Sequence, residues 1–330
     1  MDPTQVPSRS GSLDAKASLA KFAGRASKYS FNLNGRVFKD DCYLFRGGYA
    51  IVHSGDLQRE NVGTVVRGDP NVQRSTKVAI KTPRGGPPGD VDTIKRFLKE
   101  VHVWSKLDHP NVLPLLGVTT DFDLTVSIVS PWIKRGNARK YVEDTADDPR
   151  PLMAGVAKGL HYLHTHKPSP VFHGDLKGVN ILISDTGNAL LADFGFSLIV
   201  NSSFSMSIHS DGGAKGTVNW MAPEMVSGQN ASAEADVWAF GMTVLELFTS
   251  KNPFYHLPQI QSVICAIVGE RLPNRPDDKQ THSRMTDMWW NICSHCWSYR
   301  PSSRPKMAMV VGWIAEEVGS SFAAIFFVTY

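Results

Sequence analysis

Apolar positions along the chain fall into short runs at first and into helical periods later. Residues 1–35 are rich in Ser, Ala, Lys and Gly and read as a flexible leader, although Asp14 to Ala23 has the spacing for a short helix. Ordered structure is expected from Val37 to Phe45, followed by a hairpin-like run from Arg46 to Gly55 with two turn glycines, Gly47 and Gly48. Residues 56–76 are polar and turn-rich and read as a surface insertion between strands. Val78-Ala79-Ile80-Lys81, Leu113 to Val118 and Leu124 to Val129 are β-type runs. Between the first two, Ile94, Phe97, Leu98, Val101, Trp104 and Leu107 recur at helical spacing and predict a helix over 92–107. The Gly/Pro-rich segment 84–89 separates that helix from the strand before it, and Asp108-His109-Pro110-Asn111 ends it.

Helical periods dominate the remainder. Leu152, Val156, Leu160 and Leu163 line one face of an amphipathic helix. Val237, Trp238, Phe240, Val244, Leu245, Leu247 and Phe248 make a helix opened by Asp236 that is apolar all round, and such a helix is buried. Phe322 to Tyr330 is apolar and β-prone, fitting either a packed or an exposed tail.

One stretch concentrates chemistry. His173-Gly174-Asp175-Leu176-Lys177-Gly178-Val179-Asn180 and, after a gap, Asp193-Phe194-Gly195 place two carboxylates, a lysine and an asparagine on turns. The apolar runs Ile181 to Ile183 and Ala189 to Ala192 bound those turns, which suits a site held on a rigid hairpin. An Asp can accept a hydroxyl proton, a Lys can neutralise a transferring phosphate, and an Asn with a second Asp can share a magnesium ion.

At these residues the chain resembles a protein kinase over roughly residues 40–315. The fold implied is bilobal and α+β, with a small β-rich N-lobe (about 36–130), a larger, mainly helical C-lobe (about 134–315), and an apolar tail at 316–330 of unknown role. Further matches are the Lys81 strand, Glu100 on the helix after it, and Gly216-Thr217-Val218-Asn219-Trp220-Met221-Ala222-Pro223-Glu224, which is similar to the family's substrate-docking segment. Asp236-Val237-Trp238-Ala239-Phe240-Gly241 and Arg304 also match, and Arg304 would pair with Glu224. His-Gly-Asp-Leu-Lys and Gly-Thr-x-x-Trp-Met-Ala-Pro-Glu place the resemblance in the tyrosine-kinase-like branch. Gly47-Gly48-Tyr49-Ala50 and Ser130-Pro131-Trp132 are similar to expanded fungal, basidiomycete-type members.

The resemblance assigns roles residue by residue. Asp175 would accept the substrate proton and Lys177 would stabilise the γ-phosphoryl charge. Asn180 and Asp193 would hold Mg2+, and Lys81, paired with Glu100, would orient the α- and β-phosphates of ATP. The nucleotide would further meet Gly47, Gly48, Ala50, Val52, Ala79, Ser130, Pro131, Ile133 and Leu182. Ser130 would limit the depth of the adenine pocket, Pro131 would offer its carbonyl and Ile133 its N–H. In the loop pattern G-x-G-x-x-G-x-V, Val52 is the closing valine and Gly47 the second glycine, while Phe45 and Ala50 stand at the other glycine positions. That departure keeps a second reading open, a nucleotide-binding scaffold with little turnover.

Lys177 and Thr217 together favour Ser/Thr acceptors on a protein substrate. Gly174 stands where many kinases carry an arginine that pairs with a phosphate on the activation segment. Phosphorylation of Ser202, Ser203, Ser205, Ser207 or Ser210 is therefore not expected to be required.

Composition trims the alternatives. The 330 residues carry a net charge of +4 and no long basic block, so nucleic acid is not an expected partner. Four cysteines (Cys42, Cys265, Cys293, Cys296) are too scattered for a disulfide scaffold, and the pair Cys293/Cys296 reads as packing rather than zinc. No apolar run is long enough to span a bilayer, and Met1 to Lys28 lacks a secretory apolar core. A cytoplasmic setting is the expectation; the oligomeric state is left open.

Overall fold

The structure, a computed structural model, describes residues 32–46, 50–58, 75–83, 101–123, 125–145, 147–194 and 217–327, with positions 20 and 24, and only the backbone beyond 317. The readings for the leader, for the Gly47-Gly48 turn and for Ile94, Phe97, Leu98 and Glu100 lie outside these residues, as do those for the serines at 202–210. The chain divides into two compact units, residues 1–107 with 114–132, and residues 108–113 with 133–330.

The first unit is built on a five-stranded antiparallel sheet. Its strands are β1 (Val37–Arg46), β2 (Ala50–Gln58), β3 (Ser75–Pro83), β4 (Gly117–Thr119) and β5 (Ser127–Pro131), in the order β1-β2-β3-β5-β4. Opposed residues share a face, and successive residues alternate. Val78 and Ile80 of β3 therefore join Val129 of β5 on one face, where Leu33 and Val37 complete a core at most 5% exposed. Burial of each such aliphatic side chain is worth about 1.5–3 kcal/mol. Gly55 is required at this packing, because a Cβ there would sit 2.7 Å from Ile80 Cδ1 and close on the Phe38 carbonyl.

Three sequence-based boundaries change. Residues 56–58 and 75–76 belong to the sheet rather than to a surface insertion, with Asp56 opposite Lys77 and Leu57 opposite Thr76. Their polarity is that of a solvated strand face, where Lys77 Nζ and Asp56 Oδ2 pair at 2.8 Å, while Leu57 packs on the core. The strand expected from Leu113 begins only at Gly117, since the Leu113 N–H donates to Leu191 O (2.9 Å) and Pro114 has no N–H to offer. The strand expected from Leu124 begins at Ser127, after a turn in which Thr125 N donates to Phe122 O.

The second unit is mainly helical. Its helices are α1 (Ala138–Thr145), α2 (Arg150–Thr165), α3 (Pro223–Val226), α4 (Ala233–Thr249), α5 (Ile260–Val268), α6 (Asp278–Thr281), α7 (Asp287–Cys296) and α8 (Met307–Phe327). A two-stranded hairpin, β6 (Ile181–Ile183) with β7 (Ala189–Leu191), follows α2. Leu152, Val156, Leu160 and Leu163 are all buried on α2, as their period predicts. Two glycines on the same helix make room for a loop: a Cβ on Gly155 or Gly159 would meet Asn111 at 2.8 or 2.9 Å. Asn111 in turn donates from Nδ2 to Ala189 O (2.9 Å), fastening the loop to the hairpin.

Helix α4 is buried from Ala235 to Phe248, and Ser232 caps it by accepting the Ala235 N–H at 3.0 Å. Cys293 and Cys296 are buried on α7, with Cys293 Sγ 3.7 Å from Gly241 O, so they pack against α4. Burial pushes both thiols up, away from the reactive thiolate. The β-prone stretch from Phe322 continues α8 as far as Phe327. An established helix extends cheaply through good formers such as Ala323 and Ala324, and elongation overrides strand propensity.

Candidate active site

Five residues that the sequence assigns to nucleotide share one face of the first unit's sheet. Val52 lies opposite Lys81 and Ala79 opposite Ser130, and Ala50 is two residues from Val52. All lie on the face away from Val78, Ile80 and Val129. Ser130 and Ala50 are buried, while Val52, Ala79 and Lys81 are half-buried. Pro131 ends β5 opposite Val78, where its missing N–H interrupts no further ladder.

In the second unit the loop from His173 to Asn180 gathers the remaining chemistry. Lys177 Nζ donates to both carboxylate oxygens of Asp175 (2.9 and 2.8 Å) and to Thr217 Oγ1 (2.7 Å). Asn180, in a 3₁₀ turn, donates from Nδ2 to the Asp175 carbonyl (2.7 Å) and to its carboxylate (2.9 Å). Both donations use the amide nitrogen, which leaves Oδ1 as the atom a hard cation would take. The Ala192 N–H donates to Asn180 O at 3.0 Å, which sets Asp193 beside this turn. Asp193 is exposed and has φ +61°, a left-handed conformation that a non-glycine residue adopts at some cost. Leu182 lies on β6 opposite Leu190 and bridges Asn137, while the Ile133 carbonyl accepts the Gly136 N–H (3.2 Å).

Two carboxylates of α4 hold this loop from beneath. Asp236, 1% exposed, accepts the N–H groups of His173 (2.7 Å) and Gly174 (2.8 Å), and His164 Nε2–H donates to it at 2.9 Å. Gly174 has φ +75°, a conformation where glycine is favoured. Ten residues along α4, Glu246 accepts the Gly178 N–H (2.8 Å) and the Trp220 indole N–H (2.9 Å), with Arg139 Nη1 at 3.4 Å. Burial raises the Glu246 pKa, and the Gly178 N–H and Arg139 offset that rise. His173 is fully buried beneath the loop, and burial lowers its pKa. Its Nδ1 accepts the Asp175 N–H (3.3 Å), and Phe194 packs edge-on at 5.8 Å.

The segment from Thr217 to Glu224 is fixed by Trp220 and by its last residue. Arg304 grips Glu224 with both terminal nitrogens (2.5 and 2.9 Å) and lies 5.1 Å over the Trp238 ring, so the expected pair is present. Such a pair holds geometry more than it adds stability.

Gly47, Gly48 and Glu100 lie outside the described residues. Asp175, Lys177 and Asn180 are brought into direct contact, with Asp193 joined to them through the backbone. Sequence reasoning gave no role to Glu246, Arg139 or His164. For Glu246 the available signal was a carboxylate inside the mostly apolar run from Val237 to Phe248, since an ionised group is buried there only with partners.

A family model for protein tyrosine and serine/threonine kinases matches residues 51–314. Over 237 residues the chain is 30% identical to the serine/threonine-protein kinase CTR1 of Arabidopsis thaliana, covering 70% of this chain and 27% of that protein. It is 27% identical over 285 residues to the human mitogen-activated protein kinase kinase kinase 11, covering 82% and 32%. With the dual specificity protein kinase splA of Dictyostelium discoideum it shares 30% identity over 272 residues, 76% of this chain and 11% of that protein. The chain thus spans about a third or less of the curated relatives it matches.

Proposed function

The chain belongs to the protein tyrosine and serine/threonine kinase family, in its tyrosine-kinase-like branch, and on that premise we propose that it transfers the γ-phosphoryl group of ATP to serine or threonine hydroxyls of proteins. The observation that carries this is the contact set of Asp175, Lys177, Asn180 and Thr217. Asp175 positions the acceptor hydroxyl and takes its proton. Lys177, already on Thr217, supplies positive charge where the γ-phosphoryl group passes. Thr217 beside Lys177 supports a Ser/Thr acceptor, and the Arabidopsis relative is itself a serine/threonine-protein kinase by name.

Mg2+, the family's usual ion, would neutralise phosphate charge. The donors suit it: Asn180 Oδ1 and the Asp193 carboxylate are hard oxygens, and Mg2+ needs only one or two protein ligands beside phosphate and water. Lys81 orients the α- and β-phosphates, and Ala50, Val52, Ala79 and Ser130, on the same face of the sheet, meet the base. Catalysis then rests on positioning and electrostatics, because the transition state is loose.

Gly174 has no side chain to pair with a phosphate, and its N–H is held by Asp236, so activity does not require activation-segment phosphorylation. The test is transfer of labelled phosphate from Mg-ATP to a generic basic protein by unphosphorylated enzyme, with Asp175→Asn as control. Transfer onto Ser or Thr that is lost in the control is expected. Binding of ATP without transfer would overturn the proposal and leave a nucleotide-binding scaffold.

A further inference from the structure

A cavity of about 210 Å³ opens beside the segment from Thr217 to Glu224, where the C-terminal end of α4 meets the loops flanking α5. Lys251, His256 and Arg275 line it with Asn252, and Phe254 and Tyr255 contribute apolar wall; no carboxylate lines it among the described residues. Lys251 is exposed, its ammonium lies 4.6 Å over the Tyr255 ring, and it meets no carboxylate at ion-pair distance among the described residues. Arg275 is partly committed, one terminal nitrogen to Asp287 (2.6 Å) and the other to Met285 O (3.0 Å).

The cavity wall is anchored on two sides. Arg139 donates to Asn252 Oδ1 (3.0 Å) and to Ser250 O (2.8 Å), in a loop whose Ser250 has φ +52°. On the other side Asn219 Nδ2 donates to Pro253 O at 2.6 Å, so the docking segment and the cavity wall are one hydrogen bond apart. A wall fixed in advance loses little freedom when a ligand arrives.

We propose that this cavity is an accessory substrate subsite that takes an acidic side chain (Asp, Glu or a phosphorylated residue) on the same protein chain as the Ser/Thr acceptor. This rests on the reading of Thr217 to Glu224 as the docking segment. Charge complementarity argues for the occupant: Lys251 and Arg275 line the cavity, no carboxylate lines it among the described residues, and only Arg275 is partly neutralised, by Asp287. The neighbouring docking segment argues that the acid arrives on the substrate.

The test uses the full chain and labelled peptides with one Ser acceptor and a Glu placed at successive offsets on either side. Equilibrium binding and KM are both measured, for the wild type and for Lys251→Glu. At one offset the Glu peptide is expected to bind about fivefold tighter than its Gln counterpart, the upper range for an exposed ion pair, with kcat unchanged. Lys251→Glu abolishes that preference and favours a Lys peptide at the same offset, while phosphorylation of the Gln peptide is unaffected. Equal affinities at every offset, or a preference that survives Lys251→Glu, would overturn the proposal. So would binding of inorganic phosphate with the same Lys251 dependence but no preference for the Glu peptide, which would mark a free-anion site. A Lys251-dependent binding preference without any phosphoryl transfer keeps the subsite and removes the kinase reading; transfer without the preference does the reverse.

Discussion

Glu246 accepts the Gly178 N–H at 2.8 Å from the buried stretch of α4. One carboxylate thereby joins the loop that carries Asp175, the segment from Thr217 to Glu224 through Trp220, and α1 through Arg139. Replacement by Ala leaves a buried indole N–H and a backbone N–H without their acceptor, while the Arg139 guanidinium keeps Glu143, Asn252 and Ser250. With two buried donors orphaned at about 1–3 kcal/mol each, Glu246→Ala is expected to lose about 2–6 kcal/mol of unfolding free energy. Glu246→Gln can keep its oxygen at the Oε2 position, which holds both Gly178 and Trp220, but turns an NH₂ toward Arg139 Nη1, and loses about 1–3 kcal/mol. Urea unfolding of the two variants checks both the loss and its order.

Two effects compete at Gly159. Alanine is the better helix former by about 1 kcal/mol. Its Cβ, however, would lie 2.8 Å from Leu191 Cδ1 and 2.9 Å from the backbone oxygen of Asn111, which cannot rotate aside. Overpacking of this kind costs about 1–3 kcal/mol, so Gly159→Ala is expected to destabilise. At Gly312 on α8 a Cβ would meet nothing within 4 Å, and Gly312→Ala is expected to stabilise by about 0.5–1 kcal/mol. Melting temperatures that moved in the same direction for both variants would contradict this account.

Stability falls on acidification below about pH 6.5. His53, His102, His109 and His173 all have pKa values lowered chiefly by burial. The unfolded chain therefore binds protons first as pH drops through the ordinary histidine range, and the balance shifts toward unfolding. For His173 the charges of Asp236, Asp175 and Asp193 oppose that shift without reversing it. Glu246 acts the other way: its raised pKa favours the fold below about pH 4.5 and loses that contribution as pH rises through the folded value. Four histidines against one glutamate give a lower urea midpoint at about pH 5.5 than at about pH 7.5.

The proposed proton acceptor has its own signature. Asp175→Asn keeps a hydrogen-bonding side chain beside Lys177 and Asn180 but cannot take a proton. Phosphoryl transfer is expected to fall about 10²–10⁴-fold with the melting temperature close to wild type. Retained transfer in steady-state assays would place the acceptor elsewhere.

The periods that predicted α2 and α4 come from side chains buried on α-helical faces, and such patterns survive in sequence because burial demands them. The strand ends at 56–58 and 75–76 were hidden because a solvated strand face is as polar as a loop; only the cross-strand pair Asp56–Lys77 distinguishes them, and pairing is not visible in one strand. Leu113 to Leu116 is apolar enough to read as sheet, yet the partner of Leu113 is a backbone oxygen nearly eighty residues later. At the site, Asp175, Lys177 and Asn180 were legible because they are close in sequence and belong to a motif. Arg139 and Glu246 were not, since they meet across 107 positions and neither lies in a recognised pattern.

The loop that carries Asp175 has no regular secondary structure of its own beyond one 3₁₀ turn, yet the amide hydrogens of His173, Gly174 and Gly178 all end on carboxylates of α4. Those hydrogens can meet solvent only when α4 itself separates from the loop. They should therefore exchange with deuterium on the timescale of the helix core rather than of surface loops. The loop that carries Asp175 and the buried helix α4 thus melt as one cooperative piece.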